Sequence, residues 1–195
     1  MSYFLTSKFY GDKRQSLLKG IDDDALLVLF AGEALRKTTD AYYACFPSRN
    51  FVYLTGLGET NAQYMILVAR KQGKHIEELL FAPPSDELTE RWNGRRMRSE
   101  EIAAISGIRD VRPLDAFLPY IHTAVTTDNV GCMYLDLYRH KADEPDDTAL
   151  RFSRRMKEYY PQLQLRNVTP LLRSLRTIKS DCEIAAMKQA MTVTR

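Results

Sequence analysis

The apolar residues of this chain come in short unbroken runs separated by polar stretches of helical spacing, and that pattern limits the fold more than any other feature. The run from Ala25 to Ala31 (ALLVLFA) follows a polar turn at Asp22, Asp23 and Asp24 and stops at Gly32. Runs from Met65 to Ala69 and from Leu79 to Ala82 lie either side of a turn at Gln72, Gly73 and Lys74, which predicts a neighbouring pair of strands. A run that is apolar at every position reads as a strand buried on both faces. Residues 130–137 and 163–168 supply two more strands, and the alternation from Gln162 to Arg166 suits a half-exposed one.

Helices with recognisable ends lie between these runs. Ser85, Asp86 and Glu87 open a turn carrying Leu88 and Trp92 on one side, and Ser99, Glu100 and Glu101 open a second short helix that Gly107 closes. Ala149, Phe152, Met156 and Tyr159 recur at helical spacing, with Arg151, Arg154 and Arg155 on the opposite, solvated face. Thr169 reads as a cap with Pro170 at the first helical position, and Leu171, Leu175 and Ile178 share a face. Ser180 and Glu183 have the spacing of a capping box. They start a helix with an apolar stripe of Ile184, Met187 and Met191, which reaches Arg195 without a stop signal and is expected to pack on a further surface. Strands interleaved with helices predict an α/β layered domain.

Composition narrows the class of function. Hydrophobic residues make up 45% and charged residues 27% of the 195, too apolar for a disordered chain. Twenty-eight Lys and Arg against 25 Asp and Glu leave a net charge of only +3, which calls for neither nucleic acid nor an anionic membrane as partner. Cys45, Cys132 and Cys182 are far apart and odd in number, so reduced thiols are expected, and the absence of an early apolar run points to a cytoplasmic protein. No HExxH, GxSxG or P-loop motif is present, and Gly56, Leu57 and Gly58 lack the third glycine of a dinucleotide loop because Asn61 stands there. His75, His122 and His140 are scattered, with no second ligand at metal spacing. The acidic groups at 22–24 and 143–147 sit at turn and helix-start positions, where capping and solvation account for them.

Three segments carry a family resemblance. Asp40 to Phe46 (DAYYACF) followed by Ser48 to Gly56 (SRNFVYLTG) resembles the aromatic stretch of aminopeptidase P, prolidase and creatinase relatives. Glu90 to Arg96 (ERWNGRR) is similar to the tryptophan–glycine–arginine segment of the aminopeptidase P branch. Leu175 to Ser180 (LRTIKS), with Glu183, Ile184 and Ala190, is similar to the junction where that family's catalytic domain begins. Asn93, where relatives often have an aromatic residue or histidine, and Arg98, in place of a small residue, depart from the pattern.

The resemblance implies an amino-terminal domain over residues 1–168, a mixed sheet of five to six strands flanked by helices in a ribonuclease-H-like arrangement. Residues 169–195 would be a linker helix and the start of the catalytic pita-bread domain. It further implies no catalytic residue, metal ligand or cofactor in this chain, and two divalent ions, manganese in most relatives, held elsewhere in the parent. The parent would be a metallopeptidase acting on Xaa-Pro peptides as a homodimer or homotetramer, with this domain contacting its own catalytic domain and neighbouring subunits. Trp92, with Arg95 and Arg96, would then shape the substrate entrance. A reading of a different class is a protein-binding module in a peptidase-like protein that has lost its metal ligands. A nucleic-acid-processing domain would need an acidic cluster on the strands, which the sequence does not supply.

Overall fold

The computed structural model describes residues 5–86, 90–92 and 94–193. Its strands are β1 (Ala25–Phe30), β2 (Ile66–Gln72), β3 (His75–Ala82), β4 (Asp110–Pro113), β5 (Cys132–Leu135) and β6 (Gln164–Asn167). The helices used below are α1 (Ser7–Leu18), α2 (Arg49–Thr55), α3 (Ser99–Ser106), α4 (Phe117–Thr126), α5 (Thr148–Tyr159), α6 (Thr169–Thr177) and α7 (Asp181–Val193). The strands form one mixed sheet in the order β4-β3-β2-β1-β5-β6. β1, β2 and β3 run antiparallel at its centre, with Val28 opposite Val68 and Val68 opposite Leu79. β4 adds parallel to β3, while β5 and then β6 add parallel beyond β1.

The pleat divides the continuous apolar runs between two cores. Leu27 and Leu29 of β1 face Leu18 of α1, Phe51 and Leu54 of α2, Ile102 of α3 and Leu172 of α6. Leu26 and Val28 face Phe117, Ile121 and Val125 of α4 and Phe152 and Met156 of α5. Helices cover both faces, so β1 has no side that must be polar, and its unbroken apolar sequence follows. On the second face the rings of Phe30, Phe81, Phe117 and Phe152 lie in a chain of edge-on and tilted contacts 5.2–6.0 Å apart.

The expected strands all form, and the hairpin turn falls between β2 and β3 at Gly73. β4 was not expected. Its sequence, DVRP, has no apolar run because it is an edge strand, where half-exposed side chains and a terminal proline are tolerated. At α6 the helix begins one residue earlier than the Thr169 cap predicts: Val168 is the cap residue, and the Asn167 carboxamide oxygen accepts from the Thr169 N–H at 3.0 Å. The expected stripe on this helix is also displaced. Leu172 is fully buried, Leu171 and Leu175 are half-buried, and Ile178 is exposed. Tyr159 likewise stands in solvent while Ala149, Phe152 and Met156 of the same helix are buried. Two of the three arginines of that helix are ion-paired at the surface, Arg151 with Glu33 and Arg154 with Asp146, which also holds Arg139, while Arg155 lies over the Tyr159 ring. No described helix is long and apolar enough to cross a membrane.

α7 starts where the capping-box spacing placed it, with one difference in the bonding. The Glu183 carboxylate accepts from both the Ser180 N–H (3.0 Å) and the Ser180 hydroxyl (2.6 Å), so the hydroxyl donates. The same carboxylate receives Lys13 of α1 at 2.8 Å, which ties the start of α7 back to the domain, while Ile184 and Met187 are exposed. Burial pushes the Glu183 carboxyl up, and the bonds from Lys13 and Ser180 together outweigh it and leave the group below its ordinary value. Burial pushes the Lys13 ammonium down, and its bonds to Glu183 and Tyr53 outweigh that and leave it above its ordinary value. A carboxyl depressed on folding contributes stability above its unfolded pKa that is lost as pH falls through the folded one. A raised ammonium contributes below its unfolded pKa and is lost as pH rises through the folded one. The α1–α7 link is therefore expected to hold across neutral pH and to loosen below the ordinary carboxylate range and again above the ordinary lysine range. Amide exchange along α7 checks this; protection that stays flat from neutral into acid pH, while α1 remains folded, would count against the link.

Candidate functional site

The segment after β3 is built from charge pairs over a glycine turn. Pro83 and Pro84 end the strand, because proline supplies no N–H for the ladder. Glu90, Arg91 and Trp92 are helical, and the Gly94 N–H donates to the Glu90 carbonyl at 3.0 Å with Gly94 in the left-handed region (φ 82°). One oxygen of the Glu90 carboxylate accepts the Arg96 N–H at 3.0 Å, and the other accepts Arg98 at 3.1 Å. Arg98 also donates to the Ser85 hydroxyl, which joins the two ends of the segment. Glu101, in the first turn of α3, accepts the Arg98 N–H at 2.9 Å and the Arg95 guanidinium at 2.8 Å. Those two bonds, the backbone one first, hold the Glu101 carboxyl below its ordinary value, and the bond to Glu101 pushes Arg95 up.

This scaffold presents Trp92 to solvent at 82% exposure, the most exposed of the large apolar side chains described. Of the entrance residues expected from sequence, Arg95 is engaged with Glu101, and Arg96 is half-buried and anchored through its backbone, its Nε lacking a hydrogen-bond partner. Leu88, expected to back the tryptophan, and Asn93 lie outside the described residues. The residue that sequence reasoning undervalued is Arg98. Its position directly before the Ser-Glu-Glu helix start is what lets one side chain reach both Glu90 and Ser85 while its N–H is capped by Glu101.

The remaining titratable clusters are occupied structurally. Asp22 and Asp23 pair with Arg166 and Lys71, and Asp147 caps α5 by accepting the Leu150 N–H at 2.8 Å. Glu77 and Glu78 of β3 receive Tyr120 and Arg14. The histidines are exposed, and His122 meets the Tyr160 hydroxyl at 2.9 Å. Among the described residues no group of three or more His, Cys, Asp or Glu is placed to hold a metal ion.

The chain is thus an α/β domain with a mixed sheet covered on both faces and an arginine-braced turn around Trp92 and Gly94 between β3 and β4. Residues 10–133 match the family "Aminopeptidase P, N-terminal domain", and the chain belongs to that family. Over 95% of its length it superposes with a TM-score of 0.89 and 36% identity on 43% of a Bacillus anthracis structure assigned as an aminopeptidase P. It is 26% identical to an Xaa-Pro aminopeptidase of Haemophilus influenzae across 97% of this chain and 41% of that protein. An Xaa-Pro aminopeptidase 3 of Dictyostelium discoideum is 27% identical across 92% of this chain and 33% of its own length. The chain thus spans less than half the length of each of these two relatives.

Proposed function

We propose that this chain is the accessory domain of a metal-dependent Xaa-Pro aminopeptidase, where it helps to hold subunits together and contributes Trp92 to the entrance used by proline peptides. The observation that carries the reading is a single tryptophan held outward, away from both cores, by a turn braced at Glu90, Arg98 and Glu101. Large apolar side chains are costly to leave in water, and a fixed, outward indole gains most when a partner surface or a proline ring covers it. The kinship to relatives named Xaa-Pro aminopeptidase supports the substrate class. The described residues do not suit a metal pair, so in this reading the ions belong to ligands elsewhere in the protein, and this domain's contribution is binding and positioning.

The test is Trp92→Ala in a form of the protein that includes the catalytic domain. The expected result is a kcat/KM on Xaa-Pro peptides lower by about tenfold, on the order of the 1–3 kcal/mol that one apolar contact supplies. Stability should stay within about 0.5 kcal/mol, as for other surface changes. Unchanged turnover with unchanged assembly in sedimentation would remove the entrance role. A loss of about 3–5 kcal/mol in stability would instead mark Trp92 as a core residue.

A further inference from the structure

A second site lies on the opposite side of the sheet's centre from the Trp92 turn. Its floor is the carboxyl ends of the parallel strands: Asp136 follows β5 directly, Thr169 follows β6 by two residues, and the Ser48 N–H donates to the Ala31 carbonyl just past β1. Ligands of open α/β sheets bind outside such carboxyl ends. Here the space is a cleft of about 700 Å³, within the range of small-molecule sites.

Its lining is unevenly charged. Arg49, Arg173, Arg176 and Lys179 face it against only Asp136 and Asp147. Both acids are already used. Asp136 accepts from the Asn50 carboxamide and from the Thr169 hydroxyl, each at 2.6 Å, and Asp147 caps α5. Arg176 is fixed by a bond to the Asn50 oxygen at 2.6 Å and lies over the Tyr53 ring, and Lys179 donates to backbone carbonyls. Arg49 and Arg173 are different: among the described residues neither guanidinium makes an ion pair or a hydrogen bond.

The adjoining cleft shows what a balanced lining looks like. There Glu33 is paired with Arg151, Asp146 with Arg139 and Arg154, and Glu144 accepts two backbone N–H groups. Unsatisfied positive charge is therefore concentrated in the larger cleft.

The geometry points to an anion site in this cleft, taking a small molecule with two or more phosphate or carboxylate groups on the forks of Arg49 and Arg173. Planar guanidinium groups bind both kinds of oxyanion through paired N–H bonds. Hydroxyls at Ser48, Thr169 and Thr177 line the same space. Nothing in this inference depends on the role given to Trp92.

Calorimetric titration of the 195-residue chain at low salt tests it, with pyrophosphate in one arm and citrate in the other to separate the two chemistries. Saturable 1:1 binding is expected in at least one arm, weakening as sodium chloride rises. Arg49→Ala and Arg173→Ala should each weaken it about tenfold, and together abolish it, while Arg154→Ala on the outer face of α5 leaves it intact. Both target side chains are exposed and unpaired, so the thermal midpoint should hold. Should either alanine variant fail to fold, Arg49→Lys and Arg173→Lys, which keep the charge and lose the fork, should show intermediate affinity. The inference is overturned by the absence of saturable binding in both arms or by binding that survives the double substitution.

Discussion

Replacing Arg14 with alanine should cost this domain about 3–5 kcal/mol, the range seen when one partner of a buried ion pair is removed. The side chain is 2% exposed in the middle of α1. Its Nε and Nη2 reach the two oxygens of Glu78 on β3, each at 2.9 Å, in a bidentate pair. Its Nη1 donates to the Leu54 carbonyl at 2.8 Å and to the Ser106 carbonyl at 3.0 Å. Those carbonyls belong to the last turns of α2 and α3, where no intrahelical N–H is available and the helix dipoles favour a cation. One guanidinium thus closes two helices and ties a third to the sheet. Alanine would strand both carbonyls and the Glu78 carboxylate at once. Glu78→Gln should cost less, about 1–2 kcal/mol, because Glu78 is partly exposed and water can replace part of the bond. Urea unfolding of the 195-residue chain measures both. Arg14→Met is the discriminating variant, since it keeps much of the volume. A methionine variant within about 1 kcal/mol of the parent would show that packing, not the charge network, sets the stability here.

Arg14 also explains why α1 was not legible. A charged residue stands in the centre of the face that carries Phe9, Tyr10, Leu17 and Leu18, so the apolar period is broken where burial is deepest. α2 is only seven residues long, too short to show a period, and it hides inside an aromatic stretch. α4 carries Pro119 in its first turn, which reads as a break although a first-turn N–H has no helical partner to lose. The strands were legible for the opposite reason. Ala25 to Phe30 and residues 66–69 bury every side chain, and total burial leaves composition no freedom. The Trp92 turn was visible through its resemblance and through the charges around the indole. Its bracing by Arg98 was not, because the spacing of Glu90, Arg98 and Ser85 acquires meaning only once the chain turns at Gly94. The anion cleft was less visible still: Arg49 opens α2 while Arg173 and Arg176 lie on α6, more than a hundred residues later in sequence, and the two meet only when β5 and β6 add beside β1.

Gly56→Ala, at the buried C-terminal end of α2, should cost about 2–5 kcal/mol. In sequence Gly56 belongs to a Gly-Leu-Gly that resembles the start of a nucleotide loop; in the structure it ends a helix. It sits in the left-handed region at φ 76°, and its N–H donates to the Val52 carbonyl at 2.8 Å. The first part of the cost is the left-handed conformation, about 1–2 kcal/mol for a residue with a Cβ. The second is contact: a Cβ at this position would lie 2.4 Å from Cε2 and 2.6 Å from Cζ of Tyr10. The ring cannot step aside freely, being 7% exposed and edge-on to Phe9 at 5.2 Å. Forcing extra volume into a packed interior adds about 1–3 kcal/mol. Gly73, in the β2–β3 hairpin, separates the two parts. It is also left-handed, at φ 57°, but a Cβ there meets nothing within 4 Å. Gly73→Ala should therefore lose only the conformational part, reduced to about 1 kcal/mol because alanine also restricts the unfolded chain. In a double-mutant cycle, shortening the ring with Tyr10→Leu should make Gly56→Ala milder by about 1 kcal/mol or more, a coupling typical of residues in direct contact. Equal losses for the two glycines, with no coupling to Tyr10, would mean that the α2 end relaxes around the new methyl group and that the close approach of Gly56 to Tyr10 does not constrain this position.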